Sequence, residues 1–143
     1  MSFKFRTMRT NTILIQFPLI LVFFMGSQII KAQTEKSEFD KNFVHTVYFW
    51  FNNPDNKEDC AAFETSLKKF LNNSLYAKTH FIGKPANTPR EVVDGSFTYS
   101  LVLTFPSKEI QDKYQKEDAH LLFIEESSHL WEKVIVYDSV SID

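Results

Sequence analysis

From Phe43 onward the order of apolar and polar positions predicts the elements of a fold. Phe43, His45, Val47, Phe49 and Phe51 share one face of an extended run, and Val44, Thr46, Tyr48 and Trp50 share the other. Both faces are largely apolar, as in a strand covered on two sides. Asn53-Pro54-Asp55 predicts a turn that caps a helix, and Phe63, Leu67, Phe70 and Leu71 recur at helical spacing behind it. That helix runs from about Lys57 to Leu71 and ends at Asn72-Asn73. Leu75 to Gly83 predicts a second strand, followed by a loop from Lys84 to Gly95 that Pro85, Pro89 and Gly95 punctuate. Phe97, Tyr99, Leu101, Leu103 and Phe105 then alternate with Thr98, Ser100 and Thr104, the pattern of a half-buried strand.

Ser107 caps a second helix over Lys108 to about Lys116, and Asp118 caps a separate short helix from Ala119 to about Leu130. The last strand spans Lys133 to Val140. The order is β-α-β-β-α-β with the second α split in two, which predicts an α+β ferredoxin-like fold, an antiparallel sheet with helices on one face. The opposite face, carrying Tyr48 and Trp50, would be an exposed apolar patch in a monomer. A second copy laying its sheet on that patch is the expected solution, making the chain a homodimer.

Composition narrows this to one domain. The chain has 143 residues, is 43% hydrophobic and contains fifteen Phe but three Gly, which excludes a disordered or low-complexity chain. Residues 1–32 stand apart as a signal peptide: Lys4, Arg6 and Arg9 precede an apolar run from Ile13 to Ile30, and Ala32 offers a small residue for cleavage. Gln16, Pro18, Gly26 and Gln28 interrupt that run, so it makes a poor membrane span of ~20 residues, although an uncleaved anchor is the alternative. Met8 is a second candidate start. Residues 33–42 read as a short polar tether and 43–141 as the domain. The expected destination is the periplasm or the medium of a bacterial cell, with no stable membrane span after cleavage.

Removing the leader changes the charge. All eighteen acidic residues lie beyond Ala32, whereas Lys4, Arg6, Arg9 and Lys31 precede the cut, which leaves twelve basic residues and a net charge of −6. That balance argues against nucleic acid as a partner. Cys60 is the sole cysteine, so no internal disulfide supports an exported product. Four scattered His and one Cys lack metal-ligand spacing, and no Gly-rich phosphate loop is present, so neither a metal nor a nucleotide cofactor is expected.

Three stretches carry a resemblance: His45-Thr-Val-Tyr-Phe49 on the first strand, Ala119-His120-Leu-Leu-Phe123 on the last helix, and Leu130-Trp-Glu-Lys-Val-Ile-Val-Tyr-Asp138 leading into the last strand. Together they resemble the stress-responsive dimeric α/β barrel (Dabb) family over roughly Phe43 to Ser139. The resemblance implies two ferredoxin-like sheets closing into a dimeric α/β barrel. This sequence departs from the family at two places. Trp50-Phe51-Asn52 replaces a basic residue often found near the end of the first strand, and Glu117-Asp118 replaces a His-Pro pair before Ala119-His120.

A plant polyketide cyclase of that family closes its product by an intramolecular aldol condensation. By resemblance, its general-base histidine falls on His120, its tyrosine on Tyr114 and its strand histidine on His45. On one continuous helix six residues turn through about 240°, so Tyr114 and His120 would point apart. A break at Glu117-Asp118 lets them converge.

Each candidate has a structural alternative. His120 shares a helical face with Phe123, Ile124 and Ser127, where a histidine can simply satisfy a backbone carbonyl, line a ligand pocket or act as a base. Tyr114 can cover the sheet as an ordinary helix side chain, and His45 can be a hydrogen-bonded buried group. The candidate catalytic residues are thus His120 and Tyr114, and the candidate ligand-binding residues are His45, Phe49 and Phe123. His80, His129 and Cys60 have weaker claims. Three functions are compatible: a dimeric module binding a small apolar or aromatic ligand, a cofactor-free cyclase-like or monooxygenase-like enzyme, and an exported structural protein without a ligand. Fold alone does not choose among them.

Overall fold

The computed structural model describes residues 39–142. The expected signal peptide and most of the expected tether lie outside the described residues. Within them the chain forms β1 (Phe43–Phe51), α1 (Lys57–Asn73), β2 (Thr79–Gly83), β3 (Tyr99–Phe105), α2 (Lys108–Tyr114), α3 (Asp118–Ser127), a single 3-10 turn (Ser128–Leu130) and β4 (Trp131–Val140). The sheet order is β2-β3-β1-β4, and every neighbouring pair is antiparallel. No helix among the described residues is long and apolar enough to cross a membrane.

The alternation on β1 decides which face the helices cover. Phe43, His45, Val47, Phe49 and Phe51 are buried while the residues between them are partly exposed. α1 sets Phe63, Leu67, Phe70 and Leu71 onto that face, and β3 adds Tyr99, Leu101, Leu103 and Phe105. Phe63 is wholly buried and packs edge-to-face on both Phe49 and Phe51, with ring centroids 5.1 and 5.0 Å away. Such pairs add about 0.5–1.5 kcal/mol each beyond the area they bury.

Several boundaries differ from the sequence expectation, each for a local reason. The helix cap is Asn56 rather than the preceding turn: its side chain accepts from Glu58 N and Asp59 N, while Asn53 supplies the carbonyl that closes the turn and a side-chain bond to the Asp59 carboxylate. β2 begins at Thr79, not Leu75, because the intervening backbone donors are used elsewhere. Ser74 Oγ accepts from Tyr76 N and Ala77 N, and Leu75 N donates to Glu117. Ser107 caps α2 as expected. Asp118 does not cap α3; it lies in the first turn, and Glu117 occupies the cap position without a side-chain capping bond.

Phe97 departs from its alternation. It precedes β3 and packs on the opposite face of the sheet against Tyr48, with centroids 4.9 Å apart. The loop that carries it also gives Ser96, whose hydroxyl accepts from Trp50 Nε1 at 3.0 Å. Tyr137 completes the row 6.3 Å from Tyr48, and Lys133 lies 4.3 Å over the Trp50 ring. The chain's own loop therefore covers part of the face that helices leave open. Tyr137 remains 58% exposed and Phe81 likewise, so an apolar area persists there.

Candidate functional site

The side of the sheet that faces the helices contains a pocket of about 340 Å³. β1 contributes His45, Val47 and Phe49, and β4 contributes Val134 and Val136 with Trp131 at its start. Tyr114 and Gln115 come from the end of α2, and His120, Phe123 and Ile124 from α3. All five candidate residues from the sequence, His45, Phe49, Tyr114, His120 and Phe123, thus line one cavity. Its polar residues are His45, Tyr114, Gln115 and His120, with Ser128 from the 3-10 turn, and aromatic and branched side chains form the rest.

The break between α2 and α3 makes this possible. α2 stops at Tyr114, the chain turns through Gln115 to Glu117, and α3 restarts at Asp118. The rings of Tyr114 and His120 then lie 4.6 Å apart with planes inclined at 35°. Phe70 of α1 packs on both, at 5.9 and 5.7 Å.

His120 Nδ1 lies 3.3 Å from the carbonyl oxygen of Gln115, the residue that leaves α2. A carbonyl only accepts, so Nδ1 carries the proton and Nε2 holds the free lone pair. Burial holds the pKa of His120 below the usual histidine value, only partly offset by the Gln115 hydrogen bond. Its neutral, proton-accepting form is favoured. Tyr114 is 1% exposed, and its hydroxyl makes no hydrogen bond with another described residue. Burial first, then the charges of Glu117 and Asp138, push its pKa up, which keeps the phenol protonated and able to donate.

His45 has a partner that sequence reasoning missed. Antiparallel register sets Asp138 of β4 directly opposite it, and His45 Nδ1 donates to Asp138 Oδ1 at 2.6 Å. The imidazole also packs edge-on to Tyr114 with centroids 5.6 Å apart. Three polar rings are thus in contact in sequence, His45 edge-on to Tyr114 and Tyr114 tilted against His120, anchored at one end by a carboxylate and at the other by a backbone carbonyl.

Residues 43–141 match the stress responsive A/B barrel domain (Dabb) family. The chain belongs to this family. Its domain is similar to a Dabb family protein with a ferredoxin-like fold from Mesorhizobium loti, at 17% identity and a TM-score of 0.59, covering 71% of this chain and 97% of that one. It is similar to a dimeric ferredoxin-like protein of unknown function from Thermobifida fusca, at 13% identity and TM-score 0.59, covering 73% and 95%. A third similar structure is a hydroxynitrile lyase from Passiflora edulis, at 19% identity and TM-score 0.60, covering 72% and 96%. No curated protein matches the chain. At these identities the structures bear on fold alone, and they agree with the ferredoxin-like α+β expectation.

The remaining polar candidates of this Dabb domain lie off the pocket. His80 on β2 and His129 in the 3-10 turn are exposed, and Cys60 is half-buried with its thiol 3.5 Å from the Pro54 carbonyl. Among the described residues no group of three or more His, Cys, Asp or Glu side chains is placed to hold a metal ion. A second polar cluster on the far side of α1 also went unread in the sequence. Tyr99 donates to Glu64 Oε1 at 2.7 Å and Lys84 pairs with the same oxygen at 3.1 Å, which holds the Glu64 carboxyl below its ordinary range. Its side chains satisfy one another, which fits a structural role.

Proposed function

We propose that this Dabb domain is an exported homodimeric module that binds a small apolar or aromatic ligand bearing one polar head group. The observation that carries the reading is the asymmetry of the pocket: the rings of His45, Tyr114 and His120 meet in one cluster, and apolar side chains, among them Phe49, Phe123, Trp131, Val134 and Val136, make most of the remaining wall. Pockets with a few convergent polar groups in an apolar lining are the usual form of small-molecule sites. A phenol or a carbonyl compound suits it, because Tyr114 offers a donor and His120 Nε2 an acceptor. The sequence leader supports export. The exposed aromatic row around Tyr48 and Tyr137 supports dimerisation, as do dimeric structures of the same fold.

The second reading is a cofactor-free enzyme of cyclase-like or monooxygenase-like type. It is favoured by one specific arrangement, a neutral histidine with its tautomer set by Gln115 next to a protonated tyrosine hydroxyl. His120 would take a proton from the substrate while Tyr114 steadies the oxygen on which charge develops.

Trp131 lines the pocket and reports on both readings through its fluorescence. Titrating the mature protein with 4-alkylphenols of increasing chain length should give saturable quenching that strengthens until the apolar end is filled. Absence of saturable binding for phenols and for apolar ketones up to millimolar concentration would overturn the reading. Turnover of a bound ketone that is lost in His120→Gln while binding survives would favour the second.

A further inference from the structure

Glu117 sits where α2 ends and α3 begins, at the N-cap position, yet it leaves the helix uncapped. A charged side chain at such a site ordinarily serves the local amides. Here the carboxylate turns away, and the residue is 9% exposed. Oε1 accepts from Ser74 Oγ at 2.5 Å and Oε2 from Leu75 N at 2.9 Å, partners 43 and 42 residues distant in the chain. Both lie at the C-terminal end of α1, whose cap residue is Ser74. Four residues before it, Phe70 is the residue that packs on Tyr114 and on His120, and the Ser74 N–H donates to the Phe70 carbonyl.

One side chain therefore ties the break to the same helix turn that supports both rings. We propose that Glu117 is the positioning residue of the pocket, fixing the angle between α2 and α3 so that Tyr114 and His120 face one ligand. It acts through these two side chains and does not touch the ligand. The helices cannot set this angle by themselves, because α2 has only seven residues and its end meets α3 through a three-residue turn. Without the bonds to Ser74 and Leu75 the turn keeps only local hydrogen bonds, among them Glu117 N to Tyr114 O, Lys116 N to Lys113 O, His120 N and Leu121 N to Glu117 O, and His120 Nδ1 to Gln115 O. Those bonds hold a turn but leave α1 out of it.

The proposal rests on reading the Tyr114 and His120 pair as the polar end of a ligand pocket, and its test has a readout that needs no ligand. The imidazole signals of His120 are followed by NMR through a pH titration in the mature protein, in Glu117→Gln, Glu117→Ala and Ser74→Ala. Tyr99→Phe serves as a control for lost stability at a part-buried hydrogen bond outside the pocket lining. Glu117→Gln keeps the shape and is the variant to rely on if Glu117→Ala fails to fold. Ring-current shifts of His120 from Tyr114 should change in the Glu117 and Ser74 variants and stay put in Tyr99→Phe. The midpoint of His120 should fall further in Glu117→Gln, since the carboxylate favours the imidazolium. 4-Alkylphenol affinity should weaken at least tenfold in Glu117→Ala. Unchanged shifts and midpoint in Glu117→Gln with only a lower melting temperature would overturn the positioning role. Changed shifts without any phenol binding to the parent protein would instead overturn the ligand reading and leave Glu117 in its role.

Discussion

The rings of Tyr114 and His120 stand 4.6 Å apart although six residues separate them, a distance that no single helix allows. The turn at Gln115 to Glu117 resets the direction of the chain between the two. The pairing of Tyr114 with His120 follows from that turn: it places one ring beside the other and supplies the Gln115 carbonyl that orders the imidazole.

Tyr114 offers the cleanest separation of packing from chemistry. Its ring is buried against Phe70, Phe105 and His45, whereas its hydroxyl has no partner among the described residues. Tyr114→Phe keeps every ring contact and leaves no buried acceptor stranded. Stability should change by less than about 1 kcal/mol, measured by urea denaturation. Phenol affinity should fall by the value of one lost hydrogen bond, roughly fivefold to tenfold. A large loss of stability would reveal a hidden partner for the hydroxyl.

The strand and helix order was legible because β1 and β3 alternate so regularly and α1 repeats its apolar residues at helical spacing. Convergence of Tyr114 and His120 was legible as well, since the spacing forbade one helix and the polar Glu117-Asp118 step offered a break. What failed was nonlocal. Asp138 looks like an ordinary strand end until register sets it opposite His45. Glu117 was legible only as part of the break, with Asp118 expected as the cap, because nothing nearby in the chain announces Ser74 as its partner. Val134 and Val136 drew no role from the sequence beyond the last strand, and they line the pocket on the edge strand β4. Phe97 broke its alternation because the strand starts two residues later.

The outer face of the sheet leads to a prediction about assembly. Tyr48, Tyr137, Phe97 and Trp50 form an aromatic row on which the chain places only one loop. Light scattering of the mature protein at low micromolar concentration should give twice the chain mass. Tyr137→Glu puts a charge where a second sheet would pack, at a position already 58% exposed in the monomer, so it should yield a folded monomer. A wild-type protein that stays monomeric with Trp50 shielded from quenchers would sink the dimer.

Export makes a mass prediction. The proposed cleavage after Ala32 would remove Lys4, Arg6, Arg9 and Lys31 with the apolar run and leave a chain of net charge −6. N-terminal sequencing of protein recovered from the cell envelope or medium should begin near Gln33. Recovery of the full-length chain from the cytoplasm would refute this.

The pH dependence of folding tests the state of His120. Its pKa in the folded chain lies below the unfolded value of about 6.5, chiefly because burial penalises the imidazolium. Above that unfolded value both states are neutral at this site, and the contribution to stability is present in full. As pH falls below it, the unfolded chain takes up the proton first, so stability is lost progressively as pH drops through the folded pKa. His120→Gln removes the titration and retains a side chain that can donate to the Gln115 carbonyl. Urea denaturation at pH 7.5 and pH 5.5 should therefore show a larger loss on acidification in the parent than in His120→Gln. The difference isolates His120 from His45, which both proteins keep with its Asp138 partner. Equal losses in the two proteins would mean that His120 is not held neutral by burial, and the proton-accepting role would lose its physical basis.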